Sequence, residues 1–308
     1  MFDRRSRPPI SSINLLTLSL LLGLAGCGGE NAQALVDQAK SAQAKGETHA
    51  ALIQLKSAIQ ADENNSEARL LLGKLYLARG EYAAAEKELT RARGLGQKAD
   101  ELNPMIARAL LGMQEFQRIL DELPLPESGP ARATLQAARA QAQLGLSLPE
   151  EARKTLSESL EAAPAQPELH FAQAKLDLYE RKPDQALASL EQAIRLNPKE
   201  SDYTLLKADI LRATGKPAEA VELYRAILAK DPHHTAARLA LASEAIRTNK
   251  LDEASREVEA VLKQAPNHLM ARHIRALIAF RSQQPEKARE DLAFVLKAAP
   301  DYLPSVLL

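Results

Sequence analysis

The sequence predicts an all-α protein, a solenoid of about eight helix–turn–helix repeats that follows an N-terminal signal segment. Three observations predict this fold. Small residues recur every 34 residues along most of the 308-residue chain, prolines recur at the same interval, and the apolar residues between them follow helical spacing. The composition agrees with closely packed helices, because aromatic residues make up only 4% of the chain and tryptophan is absent.

Two series of mostly small residues mark the places where the helices of each repeat cross. Helix axes approach to about 8 Å only where the side chains between them are small. The first series, on the first helix of each repeat, consists of Ala39, Gly73, Ala107, Ala140, Ala174, Ala208, Ala242 and Ala276. The second series, on the second helix, consists of Ala51, Ala85, Ile119, Ala152, Ala186, Ala220, Ala254 and Ala288.

Glycines and prolines at fixed places divide the helices. Gly46, Gly80 and Gly215 occupy equivalent positions between the two helices of a repeat, where glycine favours helix termination. A proline ends each of the later repeats, because proline breaks a helix and fixes the turn that follows. These prolines are Pro164, Pro198, Pro232, Pro266 and Pro300.

These spacings are typical of the tetratricopeptide repeat, which residues 32–308 resemble. The resemblance implies a right-handed superhelix whose first helices line a concave groove that holds other proteins or peptides. We expect repeats one to three over residues 32–123 and repeats four to eight over residues 131–300. Residues 301–308 resemble the start of an incomplete further repeat, as expected of a piece of a longer array.

The third repeat departs from the pattern. Its first helix is predicted from Pro104 to Gly112, and its second is cut short by the sequence LPLPESGP, because three prolines and a glycine exclude a long helix. Residues 124–130 are therefore expected to form a Pro-rich break. The break is either a kink between two segments of the solenoid or a degenerate repeat without a role of its own.

The N-terminus has the features of a bacterial export signal. Three arginines precede a short apolar run, Ile13 to Ala25, whose length as a helix is only about 20 Å. The sequence Leu24-Ala25-Gly26-Cys27 that follows resembles the lipobox of bacterial lipoproteins. The resemblance implies that residues 1–26 are a signal peptide, that Cys27 is lipidated and that residues 27–31 are a short linker. Gly28, in place of aspartate, favours the outer membrane over the inner one.

Composition and motifs argue against several other functions. The formal net charge is zero, so the chain lacks the positive field that nucleic-acid binding requires, and its one cysteine excludes a disulfide framework. Neither a phosphate loop nor a nucleophile elbow occurs. His234 and His268 occupy equivalent places in successive repeats and are interpreted as exposed turn residues. We expect no enzyme activity, no metal site and no cofactor.

Residues 50–96, in combination with the lipobox, resemble the tetratricopeptide lipoproteins of the PEP-CTERM/exosortase system. The resemblance lies in Ile53-Gln54-Leu55-Lys56, Ser66-Glu67-Ala68-Arg69 and Ala85-Glu86-Lys87-Glu88-Leu89. It implies a lipid-anchored periplasmic scaffold that holds envelope proteins for exopolysaccharide export or protein sorting. The alternative is an adaptor for cell-wall (murein) enzymes or for outer-membrane assembly.

The register of the resemblance also predicts which side chains face the concave groove. They are Leu70, Lys74, Leu77, Phe171, Lys175, Leu178, Tyr179, Leu205, Asp209, Arg212, Leu239, Ile246, Arg247, His273, Phe280 and Arg281. This set predicts an extended or helical peptide ligand with apolar anchors, whose acidic groups meet Lys175 and Arg212. The alternative is that Phe171 and Phe280 only seal the junctions between repeats.

Overall fold

The computed structural model describes residues 31–300, and within that range the protein consists of sixteen helices joined by short turns. The first eight are α1 Ala32–Ala44, α2 Thr48–Ala61, α3 Ser66–Ala78, α4 Tyr82–Gly94, α5 Ala99–Gly112, α6 Phe116–Glu122, α7 Pro130–Gly145 and α8 Pro149–Ala162. The second eight are α9 Pro167–Tyr179, α10 Pro183–Leu196, α11 Ser201–Ala213, α12 Pro217–Lys230, α13 Thr235–Arg247, α14 Leu251–Gln264, α15 Leu269–Arg281 and α16 Pro285–Ala298.

The predicted all-α fold of about eight repeats is confirmed. The odd-numbered helix of each pair is the first helix of a repeat, and each pair packs on the next along the chain. The predicted signal peptide, Cys27 and residues 301–308 lie outside the described residues. Between residues 31 and 300, no helix is long and apolar enough to cross a membrane.

Both series of small residues lie at the crossings of the helices. Every alanine of the first series has no solvent exposure, Gly73 is buried, and no member of the second series is more than 3% exposed. The crossing at Gly73 is close, because a Cβ added there would lie 2.6 Å from Leu89 Cγ on the facing helix. The sequence period therefore reports the contact between the two helices of a repeat.

The turn inside each repeat contains one residue in the left-handed region. Three of the eight are the glycines predicted from sequence, Gly46, Gly80 and Gly215, with φ between 71° and 85°. The other five turns use side-chain-bearing residues with φ near 60°, which are Gln114, Ser147, Arg181, Asn249 and Gln283. The repeat therefore imposes this conformation even where the sequence lacks glycine.

Gly80, at one of these turns, is expected to contribute measurably to stability. Replacing Gly80 with alanine is expected to lower the free energy of unfolding by about 1–2 kcal/mol, because a Cβ is strained at φ 71°. No atom lies within 4 Å of the added Cβ, so a clash does not contribute. Gly94→Ala is the control, since that site is equally open but helical. Urea unfolding measures both, and equal losses would contradict the strain argument.

A recurring arginine ties each of three first helices to the turn before it and to its own repeat's second helix. Arg69, Arg238 and Arg272 each donate to the carbonyl oxygen six residues earlier and to a carboxylate nineteen residues later. The carbonyls belong to Glu63, Pro232 and Pro266, and the carboxylates to Glu88, Glu257 and Asp291. Backbone carbonyls left free where the preceding helix ends are thereby satisfied.

The third repeat is short in its second helix only. Helix α6 has 7 residues, as the prolines after it predict, whereas α5 starts at Ala99 and is five residues longer than the predicted helix from Pro104. Pro104 is accommodated inside that helix. The apolar core continues past the break, because Leu123 is buried in the same cluster as Leu135 of α7. The division of the repeats at residues 124–130 stays a prediction.

Two histidines begin helices rather than lying free in exposed turns. His234 and His268 are half-buried N-caps of α13 and α15, and their Nδ1 atoms accept hydrogen bonds from the amides of Ala237 and Ala271, each at 3.3 Å. The interpretation of these two histidines as exposed turn residues was therefore wrong. Asn65 caps α3 in the same way at the equivalent place, whereas the first helices that follow Lys98, Gly129, Gln166 and Glu200 begin without a side-chain cap.

The cap at His268 predicts a loss of stability in acid. Burial lowers the pKa of His268 below its ordinary value of 6.5, so the folded state favours the neutral imidazole that can accept the hydrogen bond. The stabilisation is complete above pH 6.5 and is lost as the pH falls through the lower folded pKa. His268→Asn keeps an acceptor and should remove this part of the pH dependence in urea unfolding. An unchanged pH profile would contradict the argument.

Candidate functional site

The first helices of repeats two to six, together with Tyr82 of α4, line an open cavity of about 580 Å³. Its walls are mainly apolar, with Leu77 of α3, Met105 and Leu111 of α5, and Phe171 and Tyr203 of α9 and α11. The rings of Phe171 and Tyr203 lie 4.9 Å apart, centroid to centroid. Pockets of this size and lining are where proteins hold small ligands or single anchoring side chains.

An ion pair between distant repeats joins two walls of the cavity. Arg108 Nη2 of α5 lies 3.2 Å from Asp202 Oδ2 of α11, and Arg108 Nη1 lies 3.9 Å from Glu200 Oε2. The two helices are three repeats apart. Arg108 and Asp202 are each about half exposed, so the pair contributes little to stability.

Lys175 of α9 places a desolvated cation at the cavity. Its Nζ donates to Gln141 Oε1 at 2.6 Å and lies 4.6 Å from the centroid of the Phe171 ring. Burial lowers the pKa of Lys175 below its ordinary value, and the negative charge of Asp202 opposes that shift. Burial likewise raises the pKa of the Tyr203 hydroxyl, so that group stays protonated at neutral pH.

The remaining charges of the wall are one cation and one anion. Lys74 of α3 is exposed and forms no ion pair with any residue between 31 and 300. Glu168 of α9 accepts a hydrogen bond from the side-chain amide of Gln166. In the described chain, no three histidine, cysteine or acidic residues are grouped so that they could hold a metal ion.

The structure brings only some of the predicted groove residues together. Lys74, Leu77, Phe171 and Lys175 line the cavity. Four others, which pack between helices, are Leu70, Leu178, Leu205 and Ile246. Leu239 packs beside Ile246 in the same way. Their part in binding stays a prediction.

The other predicted residues do not line the cavity, and their place in a groove stays a prediction. Tyr179 and Phe280 are about half exposed, at 49% and 56%. Most of the polar residues in this set form hydrogen bonds or ion pairs within the chain. Asp209 accepts a hydrogen bond from the Tyr224 hydroxyl, which Arg212 also contacts. Arg247 forms an ion pair with Glu244, and Arg281 donates a hydrogen bond to the Ile246 carbonyl. Burial lowers the pKa of His273.

Sequence reasoning missed the cavity residues of the third and fourth repeats, and Asp202 and Tyr203 of the sixth. Arg108 lies one period after Lys74, and Asp202 lies one period after Glu168. The same register that predicts Lys74 therefore predicts Arg108. The irregular third repeat was left out of the predicted groove, and with it Met105 and Leu111.

The comparisons with known proteins agree with this architecture. Two profiles described as tetratricopeptide repeat match residues 171–235, and residues 42–109 with 211–278, which together make up more than half of the chain. A search of curated proteins found no match. A tetratricopeptide repeat protein from Parabacteroides merdae has 16% identity and a TM-score of 0.48, covering 91% of this chain and 97% of its own.

A second solved structure, from a functional characterisation of Pseudomonas aeruginosa pilF, has 17% identity and a TM-score of 0.42. The match covers 67% of this chain and 94% of that one. The family profiles match the period, the paired helices and the turns found in the structure. This chain belongs to the tetratricopeptide-repeat family.

Proposed function

We propose that the protein is a lipid-anchored scaffold of the bacterial envelope, without catalytic activity, and that it holds a partner protein through its inner cavity. Tetratricopeptide-repeat proteins mediate protein–protein interactions, which supports the coarser part of this proposal. The observation that carries the docking site is the cavity itself, which combines apolar and aromatic walls with Lys175 and Lys74. Such concave sites with few polar groups are the usual places for ligand binding.

The cellular role follows from the resemblances in the sequence. A lipobox at Cys27 and the likeness of residues 50–96 to PEP-CTERM/exosortase lipoproteins support a periplasmic scaffold for exopolysaccharide export or protein sorting. Gly28 supports the outer membrane as the site of anchoring. The partners proposed are envelope proteins or peptides, and the membrane is reached through the N-terminal lipid.

Photo-cross-linking in the native bacterium tests the docking site. A benzoylphenylalanine at Met105 in the cavity is expected to form an adduct with one or a few proteins. The same probe at Leu196, which is 41% exposed and does not line the cavity, is the control. Phe171→Ala in the Met105 variant should reduce the adduct strongly, whereas Tyr179→Ala should not, because only Phe171 lines the cavity. Equal adducts at both probe sites would exclude the cavity as the docking site.

Lipidation predicts a simple change of fractionation. Replacing Cys27 with alanine is expected to move the protein out of the membrane fraction or to leave an unprocessed precursor, because the acyl chains supply the anchoring free energy. Mass spectrometry of the mature N-terminus checks the wild type. An N-terminal residue other than Cys27, without acyl chains, would contradict the anchor.

A further inference from the structure

The ammonium group of Lys175 lies at the cavity wall with donors that the chain does not use. An ammonium has three N–H donors, and the described residues accept one of them, at Gln141 Oε1. Among residues 31–300, no carboxylate oxygen forms an ion pair with Nζ, and one side of the group faces the Phe171 ring. A desolvated cation of this kind is stabilised when an anion reaches it.

The carboxylate that could neutralise Lys175 is held elsewhere. The negative charge of Asp202 raises the pKa of Lys175, yet Asp202 Oδ2 accepts a hydrogen bond from Arg108 Nη2 at 3.2 Å. Arg108 also forms an ion pair with Glu200, whose Oε2 lies 3.9 Å from Arg108 Nη1. Glu168, the remaining acid of the wall, is bonded to the Gln166 amide. Arg108 therefore holds Asp202 and Glu200 away from Lys175, while Gln166 occupies Glu168.

The apolar walls of the cavity limit which groups of a ligand can lie beside its anionic group. The Phe171 and Tyr203 rings and the side chains of Leu77, Met105 and Leu111 form its walls. A volume of about 580 Å³ suits a few side chains and not the length of a helix. Lys74, on the α3 side of the same cavity, supplies a second cation without an ion-pair partner in the described chain.

We propose that the cavity receives a compact anchor of a partner protein, a carboxylate side chain next to a large apolar side chain, and that Arg108 is a positioning residue that reserves Lys175 for this carboxylate. The apolar side chain lies against Phe171 and Tyr203. Charge complementarity with Lys175 and Lys74 favours an acidic anchor over a basic one. This inference rests on the proposed docking function and names the chemistry of its partner.

Selection from a displayed library of random twelve-residue peptides, against the full chain, tests the chemistry of the anchor. Enriched peptides are expected to carry aspartate or glutamate beside leucine, phenylalanine or tyrosine. Fluorescence anisotropy with an enriched peptide should give a Kd at least tenfold higher for Lys175→Met, which keeps the apolar stem. The matched control is Lys56→Met, because Lys56 also lies over a ring, that of Tyr76 at 5.8 Å, but does not line the cavity.

The role of Arg108 has its own test. Arg108→Gln frees Asp202 to pair with Lys175 and should raise the Kd of the same peptide about fivefold or more. Adding Asp202→Asn to that variant removes the competing carboxylate and should restore binding. If Arg108 contacted the peptide or only supported the fold, the double variant would bind no better than Arg108→Gln. Circular dichroism confirms that each variant keeps its helix content.

The outcomes separate this inference from the proposed function. Enriched peptides that bind in the cavity but lack acidic residues would overturn the inference and leave the docking function standing. The absence of any peptide whose binding depends on Phe171 would overturn both. Octanoate is the probe for a free amphipathic acid, and displacement of the peptide by octanoate at equal affinity would show that the cavity takes a small molecule instead.

Discussion

Replacing Arg69 with methionine is expected to lower the free energy of unfolding by about 3 kcal/mol, the size typical of removing one partner of a buried ion pair. The Arg69 side chain is only 4% exposed. Its Nη1 lies 2.5 Å from Glu88 Oε2, and its Nε and Nη2 donate to the Glu63 carbonyl at 2.9 and 2.7 Å. Methionine keeps most of the apolar stem but leaves both acceptors without a donor.

The cause of the loss can be isolated with a second substitution. Arg69→Met combined with Glu88→Leu removes the unpaired carboxylate, so the double variant should be more stable than Arg69→Met alone. The equivalent changes at Arg238 and Arg272 should cost less, because those arginines are 19% and 21% exposed. Water can reach Glu257, which is 27% exposed, and Asp291 keeps Arg275 as a donor. Urea unfolding measures all four variants. Equal costs at the three arginines would contradict an origin in desolvation.

The local architecture of the repeats could be predicted from sequence because it depends on single side-chain volumes in a fixed register. Gly73 and Ala85 predict a close crossing wherever the chain folds as paired helices, and both are buried there. Pro124 and Pro126 predict that α6 ends early, because proline cannot donate to a helix. Such statements need only residues within one repeat.

The closure of the cavity could not be predicted in this way. The contact between Arg108 and Asp202 joins residues 94 positions apart, and it depends on the small rotations between four successive repeats added together. Lys175 illustrates the same limit. Its position in the register predicts that it faces inward, but its burial beside Gln141 and Phe171 depends on how closely α7 and α9 approach.

The left-handed turns show where glycine positions alone gave an incomplete prediction of the backbone. Three glycines indicate the conformation, yet Arg181 and Gln283 adopt it without glycine. There the packing of the two helices on either side of the turn decides the backbone, at a local cost in strain. His268 was misread for a related reason, since its role as a helix cap is visible only in the register shared with Asn65.

Leu89→Ala is expected to lower the free energy of unfolding by about 2–5 kcal/mol, because Leu89 is fully buried and lies directly over Gly73. Gly73→Ala alone places a methyl group 2.6 Å from Leu89 Cγ and 3.3 Å from the Leu89 amide nitrogen. That overpacking costs about 1–3 kcal/mol, from which the helix propensity of alanine subtracts about 1 kcal/mol. The net cost of Gly73→Ala is therefore about 0–2 kcal/mol, and the two single changes act on the same crossing, one by a void and one by a clash.

The double variant Gly73→Ala/Leu89→Ala is expected to be more stable than Leu89→Ala alone. Shortening Leu89 removes the Cγ and Cδ2 atoms that the new methyl group would meet, and the methyl group fills part of the void. The coupling between the two changes should be favourable by about 1–3 kcal/mol in urea unfolding. Gly94→Ala, at an open helical site, is the matched control and should add to Leu89→Ala without coupling. Additive losses at Gly73 and Leu89 would mean that the helices separate to relieve the contact, and that this residue pair does not set the crossing distance.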